Sequence, residues 1–353
     1  MNKLKTIGLS ALAGSLAATS AYAGELAVTG SAEVSITEKD QYGKTGNPLG
    51  MSKAVSFSGS GELDNGYTMS VAHNMGQGAA ALQQVDTSTV TINMDAMGTL
   101  NFNQNGSAIA AMDDVVPTAW EESWDGAATP PQRTRLTSGT PNLQWTSAAD
   151  SLPMGLTISA TYAPEVGSGY NGSGSVSQST GLVGSAFDVT LRSSALLIDG
   201  LSAGVGYAEG ENNTVAASTA ATSTGSEDDS MQANAYVKYA VGPITVGFQS
   251  SWIDNGLKSG TSTDANYYES KGAGISFNVN DNLSVSYSEY KSTKNMIGDT
   301  TADIDFETSA VDIAYSMGPL SIKIGDKSHD NFGYSTAVTS QKEHTEINIS
   351  LAF

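Results

Sequence analysis

The chain has 353 residues, with 16 Lys and Arg against 36 Asp and Glu, and no Cys. A formal charge of −20 excludes nucleic acid as a partner, and the missing cysteines exclude a disulfide framework and thiolate metal or redox sites. At 39% hydrophobic, with no later stretch near the roughly 20 residues of a membrane helix, the chain is either water-soluble or a β-barrel whose strands face water on one side.

Met1 to Ala23 has a basic start (Lys3, Lys5), an apolar run from Ile7 to about Ala18, and a small-residue end at Ala21-Tyr22-Ala23. That is the pattern of a cleaved secretory signal. It divides the chain into a signal at 1–23 and a single domain at 24–353, whose formal charge is −22 once Lys3 and Lys5 are removed.

From Gly24 onward the sequence alternates with period two, the mark of half-buried strands. Val28, Gly30, Ala32, Val34 and Ile36 alternate with Thr29, Ser31, Glu33 and Ser35, predicting a strand over about 25–37. The next runs from Val55 and Phe57 to Leu63, and the turn Asp64-Asn65-Gly66 leads into Tyr67, Met69 and Val71. Further pairs follow at 88–94 with 99–103, 143–147 with 156–163, 186–193 with 201–208 and 231–239 with 244–252. The last are 273–279 with 283–290, 306–315 with 320–326, and a closing strand. The total is about sixteen. Short connectors alternate with long polar ones, and eight long and seven short links put both termini on the short-turn side of an up-and-down barrel.

Two details sharpen this reading. Tyr239-Ala-Val-Gly-Pro243 and Tyr315-Ser-Met-Gly-Pro319 each end one strand, turn on Gly-Pro and start another, placing a Tyr where an interfacial aromatic girdle lies. The chain ends on Ile347, Ile349, Leu351 and Phe353 alternating with Glu346, Asn348 and Ser350. Such a strand has one apolar face up to the last residue, as barrel closure requires.

Strand charges obey parity. Glu33, Asp188, Arg192, Lys238, Asp312, Lys323, His344 and Glu346 all lie opposite the apolar residues of their strands, as expected when a Lys or Arg on the lipid face at mid-bilayer costs about 2 to 4 kcal/mol. Glu289, Glu307, Lys53 and Lys271 break parity and are expected near strand ends beside long loops. A soluble sandwich needs large inward side chains, whereas the apolar parity here includes Gly30, Gly59, Ala32, Ala233 and Ala273. An enzyme is not indicated. His73 and His329 fall near loops, and His344 lacks an evident Ser-Asp partner. An adhesin or structural barrel would account for the Ser/Thr/Gly-rich loops at 167–184 and 212–230.

Together the signal, the strands, the connector rhythm and Phe353 resemble the sixteen-stranded general porins of Gram-negative outer membranes. The opening Gly24-Glu-Leu-Ala-Val-Thr-Gly-Ser-Ala-Glu33 and the Asn93-Met-Asp-Ala-Met-Gly-Thr-Leu-Asn-Phe102 hairpin look most like the α-proteobacterial branch. The resemblance implies an antiparallel transmembrane β-barrel with long external loops, short periplasmic turns and an inward-folded third loop. It implies a multi-pass outer-membrane homotrimer in lipid, Phe353 read by the barrel-assembly machinery, and passive diffusion of small hydrophilic solutes and ions.

By the same resemblance the third connector, about 104–140, forms the constriction. It carries Asp113, Asp114, Glu121, Glu122 and Asp125, interleaved with Trp120 and Trp124. Arg133, Arg135, Arg192, Lys238 and Lys323 are the basic wall expected to face these acids, and Glu33, Asp188, Asp312 and Glu346 are lumen acids. Only three Arg occur in the chain, fewer than the family norm, so carboxylate is expected to dominate the lumen and cations to be preferred. A substrate-selective pore is the alternative. It calls for a line of lumen aromatics or a basic ladder, and the inward parity offers Tyr236 and little else. No cofactor is expected; the Glu227-Asp228-Asp229 run reads as a solvated loop tip with weak Ca²⁺ or Mg²⁺ contact.

Overall fold

A computed structural model describes residues 26–39, 47–76, 87–126, 131–138, 140–166, 183–212, 228–254, 256, 265–297, 301–337 and 340–353. The expected signal at 1–23 and Glu227 lie outside the described residues. The strands are β1 (Ala27–Lys39), β2 (Leu49–Glu62), β3 (Thr68–Met75), β4 (Thr87–Asn93), β5 (Thr99–Asn103), β6 (Asn142–Thr146), β7 (Leu156–Ala163) and β8 (Val183–Ser193). They continue as β9 (Leu201–Asn212), β10 (Ser230–Val241), β11 (Ile244–Asp254), β12 (Ala265–Asn280), β13 (Leu283–Met296), β14 (Ile304–Met317), β15 (Leu320–Asp330) and β16 (Lys342–Ala352). Each pairs antiparallel with its sequence neighbours, and β1 pairs with β16 to close the barrel.

Closure fixes the C-terminus. Ser31 to Lys39 pair with Ala352 back to His344. Beyond them Gly30 and Phe353 exchange backbone hydrogen bonds of 2.8 and 2.9 Å. The Phe353 ring lies where a Cβ on Gly30 would be, 2.6 Å from its nearest atom. A Cβ at position 30 would displace the exposed Phe353 ring. In the Gly-Pro hairpins the first turn residue takes positive φ, +55° at Gly242 and +58° at Gly318, and Pro at the second supplies the fixed negative φ of a two-residue turn.

One face runs unbroken around the barrel. Thr161 pairs with Asp188, Arg192 with Gly204, Lys238 with Gly247, Asp312 with Gly325, Gly325 with Glu346, and Asn348 with Ser35. These positions share the inward side, as the parity of the sequence predicted. The outward side carries the exposed apolar residues, among them Val34, Val205, Phe248, Ile275, Val311 and Ile349, while Asp188, Thr190, Asp312 and Asn348 are buried. Polar inside and apolar outside inverts a soluble protein and suits a barrel surrounded by hydrocarbon.

Several strands run farther than the alternation indicated. β2 starts at Leu49, β12 at Ala265, β13 continues to Met296 and β15 to Asp330. As a result Lys271 and Glu289 lie well inside strands, and His329 lies on β15, one residue before the strand ends at the loop. His73 too is on a strand, on the outward face of β3 opposite Phe57 and Ser88.

Candidate functional site

The described residues of the segment between β5 and β6 (104–126, 131–138 and 140–141) enter the barrel and run along its inner wall. Inward side chains of successive strands hold it by its backbone. The Ala108 N–H donates to Thr161 Oγ1 on β7 (3.0 Å) and Asn234 Nδ2 on β10 donates to the Ile109 carbonyl (3.3 Å). On β11, Gln249 donates to the Asp113 carbonyl (2.8 Å) and accepts from the Val115 N–H (2.9 Å). The Ala119 N–H reaches Ser286 on β13 (2.8 Å), and His329 Nε2 on β15 donates to the Ser123 carbonyl (3.1 Å). The returning arm bonds Gln132 to the Tyr334 hydroxyl (3.0 Å), Leu136 to Gln232 (3.0 Å) and Thr137 to Asp188.

Glycines shape the path. A Cβ at Gly274 would lie 2.4 Å from Val116 Cγ1, at Gly247 2.5 Å from Pro117, and at Gly272 2.9 Å from Val116. Gly206 and Gly325 likewise receive Ile109 and Trp120. These inward glycines form a trough for the apolar side chains of the loop, a signal that the outward-directed sequence reading passed over. Farther along, Trp124 packs edge-on against Tyr290 at 4.4 Å, in a cluster with Phe306 and Tyr334. Apolar burial of this kind is the core of the molecule, and it lies between loop and wall.

Opposite this covered wall, the inward positions of β2–β6 present Ser, Thr, Asn and Gln: Ser56, Ser60, Thr89, Thr91, Asn101 and Gln144 among them. Among the described residues of these five strands the only inward charge is Glu62. The water path thus has an acid-bearing loop on one side and hydroxyls and amides on the other.

The five predicted acids are brought together on one arm of the loop. The Asp114 carboxyl, exposed to the lumen, is pushed up to about 6 by desolvation and by neighbouring Asp113, against the pull of Arg133 and Arg135. Glu122 is pushed up to about 8 by desolvation, with Asp114, Asp125, Asp312 and Asp113 adding repulsion. Desolvation raises Glu121 as well, opposed by Lys327. Asp125 accepts the Glu122 N–H at 3.1 Å, which closes a turn of the arm.

The predicted basic wall is not assembled across the pore. Arg133 and Arg135 sit on the same loop as the acids. Arg135 pairs with Asp113 at 2.6 Å, and Arg133 lies 5.9 Å over Trp124. Arg192, Lys238 and Lys323 are on the wall that carries the loop, toward the short-turn ends of β8, β10 and β15. Two adjoin rings, Lys238 over Tyr236 at 5.6 Å and Lys323 over Trp120 at 5.9 Å. Fewer Arg than usual, with those of the loop used within it, leave none for the facing strands. Glu33, Asp188, Asp312 and Glu346 lie on the inward parity, Asp188 and Asp312 fully buried and Glu346 beside His344 Nε2 at 3.3 Å.

Sequence reasoning missed Lys327. Its side chain is fully buried and its amine holds Glu121 at 2.5 Å. The expected strand at 320–326 stops one residue before it, although β15 runs on to Asp330; the signal available is the inward parity that Lys327 shares with Lys323.

A family profile described as Gram-negative porin matches residues 8–331. Among solved structures, Salmonella typhi OmpF in complex with daunomycin aligns at TM-score 0.66 with 14% identity, covering 94% of this chain and 98% of that one. The trimer form of Vibrio cholerae OmpT aligns at 0.63 and 10%, covering 94% and 99%. An anion-selective porin from Comamonas acidovorans aligns at 0.61 and 12%, covering 93% and 99%. No protein of curated function matches the sequence.

Proposed function

The chain belongs to the Gram-negative porin family, and on that premise we propose that it is an outer-membrane diffusion channel for small hydrophilic solutes and ions that favours cations modestly. The observation that carries the sign is local: five carboxylates gather on the lumen loop, two of them paired with Arg135 and Lys327, while the facing wall of β2–β6 offers no inward cation among the described residues. Fixed carboxylates beside a neutral wall raise the local cation concentration. The fold alone does not set the sign, since the similar Comamonas porin is anion-selective. Reconstituted in a planar bilayer under a KCl gradient at pH 8, the channel gives a cation-signed reversal potential. A chloride-signed potential with the loop acids intact would refute the reading.

A homotrimer is part of the proposal. β5 and β6 have five residues each, and at a tilt of about 40° they rise only about 13 Å, against an apolar band of about 25 Å. Their outward Phe102, Leu143 and Trp145 suit the wall of a second protomer better than a full-thickness bilayer. The signal at 1–23, the external side of the long loops and recognition of Phe353 during assembly complete this reading.

A further inference from the structure

Most inward cations of the loop-bearing wall are engaged. Lys327 holds Glu121 at 2.5 Å, Lys323 lies over Trp120, and Lys342 lies 4.2 Å over Phe332. Arg192, the one Arg of the chain outside the loop, and Lys238 differ. Neither makes an ion pair or a hydrogen bond among the described residues, and both are half-buried. Register gathers them around one ring. Arg192, Gly204 and Tyr236 stand in one row across β8, β9 and β10, and Lys238 follows Tyr236 on the same inward face, opposite Ser202.

Gly204 has no side chain, and its neighbours close over it. A Cβ there would lie 2.6 Å from Tyr236 Cε1, 3.0 Å from Arg192 Cγ and 3.1 Å from Met112 Cε of the loop. The Tyr236 ring is thus flanked by the stem of Arg192 and by the Lys238 ammonium, 5.6 Å from its centroid. The loop crosses here: Met112 reaches Gly204, and Pro117 reaches Gly247 beside the Lys238 stem. The result is a notch at the edge of the loop, toward the short-turn side of the lumen. No carboxylate among the described residues answers its two charges. Asp113 is held by Arg135, and Asp188, four residues along β8 from Arg192, is buried and takes the Thr137 hydroxyl. The charges acting most on Asp114 are those of Asp113, Arg133 and Arg135. The Tyr236 hydroxyl also makes no hydrogen bond among the described residues.

We infer that this notch is a lumen subsite for aromatic carboxylates. The carboxylate lies between the Arg192 guanidinium, whose fork matches its two oxygens, and the Lys238 ammonium, while the ring packs against Tyr236 and beneath Met112. Two features together select this class. A small inorganic anion uses the charges and leaves the ring and the thioether without a contact, and a neutral aromatic leaves both cations unpaired. The inference rests on the channel reading and deepens it: a pore whose loop acids favour cations carries, on the short-turn side of that loop, one resting place for a flat organic anion.

The test records single channels of the mature protein in a planar bilayer in KCl at pH 8, with benzoate, acetate, inorganic phosphate or benzyl alcohol added. Benzoate is expected to interrupt the current at concentrations about tenfold below those at which acetate or phosphate acts, and benzyl alcohol to have no effect. Arg192→Gln and Lys238→Gln should each weaken the benzoate block about tenfold, the scale of one charge-assisted contact. Tyr236→Leu should weaken it about fivefold through the lost ring contact, and Lys53→Gln, outward on β2, should leave it unchanged. Heat-modifiable gel migration and conductance in KCl alone report on the barrel independently of benzoate. If these are normal while acetate or phosphate acts as strongly as benzoate, the notch is a site for any anion and the aromatic assignment is overturned. Equal action by benzyl alcohol overturns it as well, because the cations then select nothing. If benzoate blocks the three variants as it blocks the parent, or fails to block the parent, the subsite is wrong and the channel stands. A parent that conducts nothing in KCl alone refutes the channel reading and the subsite with it.

Discussion

Replacing Lys327 with Met keeps the length of the side chain and removes its charge, which makes it a direct test of how the lumen loop is held. The amine is fully buried and the Glu121 carboxylate about one-third exposed. Breaking a fully buried ion pair costs about 3 to 5 kcal/mol through the charge left behind, and the exposure of Glu121 reduces this to about 2 kcal/mol. That energy multiplies the population of a detached loop about thirtyfold. Because the loop narrows the water path, detachment appears in single-channel records at pH 8 as a larger-conductance substate visited far more often. The sign with pH follows from the carboxyl. Burial raises Glu121 above its ordinary value of 4.5, so the held loop prefers the protonated acid, and below about pH 4 the variant behaves like the parent. Lys327→Met combined with Glu121→Gln should recover most of the loss at pH 8. Equal substate frequencies in parent and single variant, or a defect that persists unchanged at pH 4, would refute the reasoning.

Three further outcomes are expected. With Asp114 near 6 and Glu122 near 8, both held above their ordinary values, negative charge enters the lumen as pH rises; the reversal potential should become more cation-signed from pH 5 to 9, and Glu122→Gln should remove the step near pH 8. Gly274→Leu should displace the loop at Val116 and Pro117, whose atoms lie 2.4 and 2.7 Å from the new Cβ, and should increase liposome permeability to larger sugars, whereas Gly59→Leu, with nothing within 4 Å, should leave it unchanged. Gly30→Val, which collides with the Phe353 ring at 2.6 Å, should slow barrel closure, measured as the rate at which the heat-modifiable gel band appears during refolding.

The strand number and the division into inward and outward faces were legible because lipid on one side and water on the other impose a two-residue period. Where that contrast ends, so does the signal. The 265–272 portion of β12 reads A-N-Y-Y-E-S-K-G, and its outward Tyr267, Glu269 and Lys271 are not hydrocarbon-facing residues. The alternation therefore began only at Ala273. The five acids and Arg135, which pairs with Asp113, are legible because they cluster in sequence, but the buried partner of Glu121 is not. Lys327 and Glu121 are 206 residues apart, and the glycine trough assembles from β9, β11, β12 and β15. These relations exist only once the register of the barrel is set.

The register also changes what the charge of the chain means for permeation. The formal −22 of the domain is not a property of the lumen, since Glu209, Glu269, Glu289, Glu307, Asp326 and Asp330 all have outward parity. On the inner wall of the described strands, Glu33, Glu62, Asp188, Asp312 and Glu346 are accompanied by Arg192, Lys238, Lys294, Lys323, Lys327 and Lys342, which leaves the wall nearly balanced. Fields from outward carboxylates reach the pore only across the barrel wall and are screened beyond about 8 to 10 Å at physiological salt. Selectivity is therefore assigned to one arm of one loop. Neutralising Asp114 together with Glu122 should remove most of the cation preference while changing the total charge by only two, and neutralising Glu209 together with Glu269 should leave the reversal potential where it was. If the two pairs had equal effects in a KCl gradient, selectivity would follow total charge and the local argument would fail.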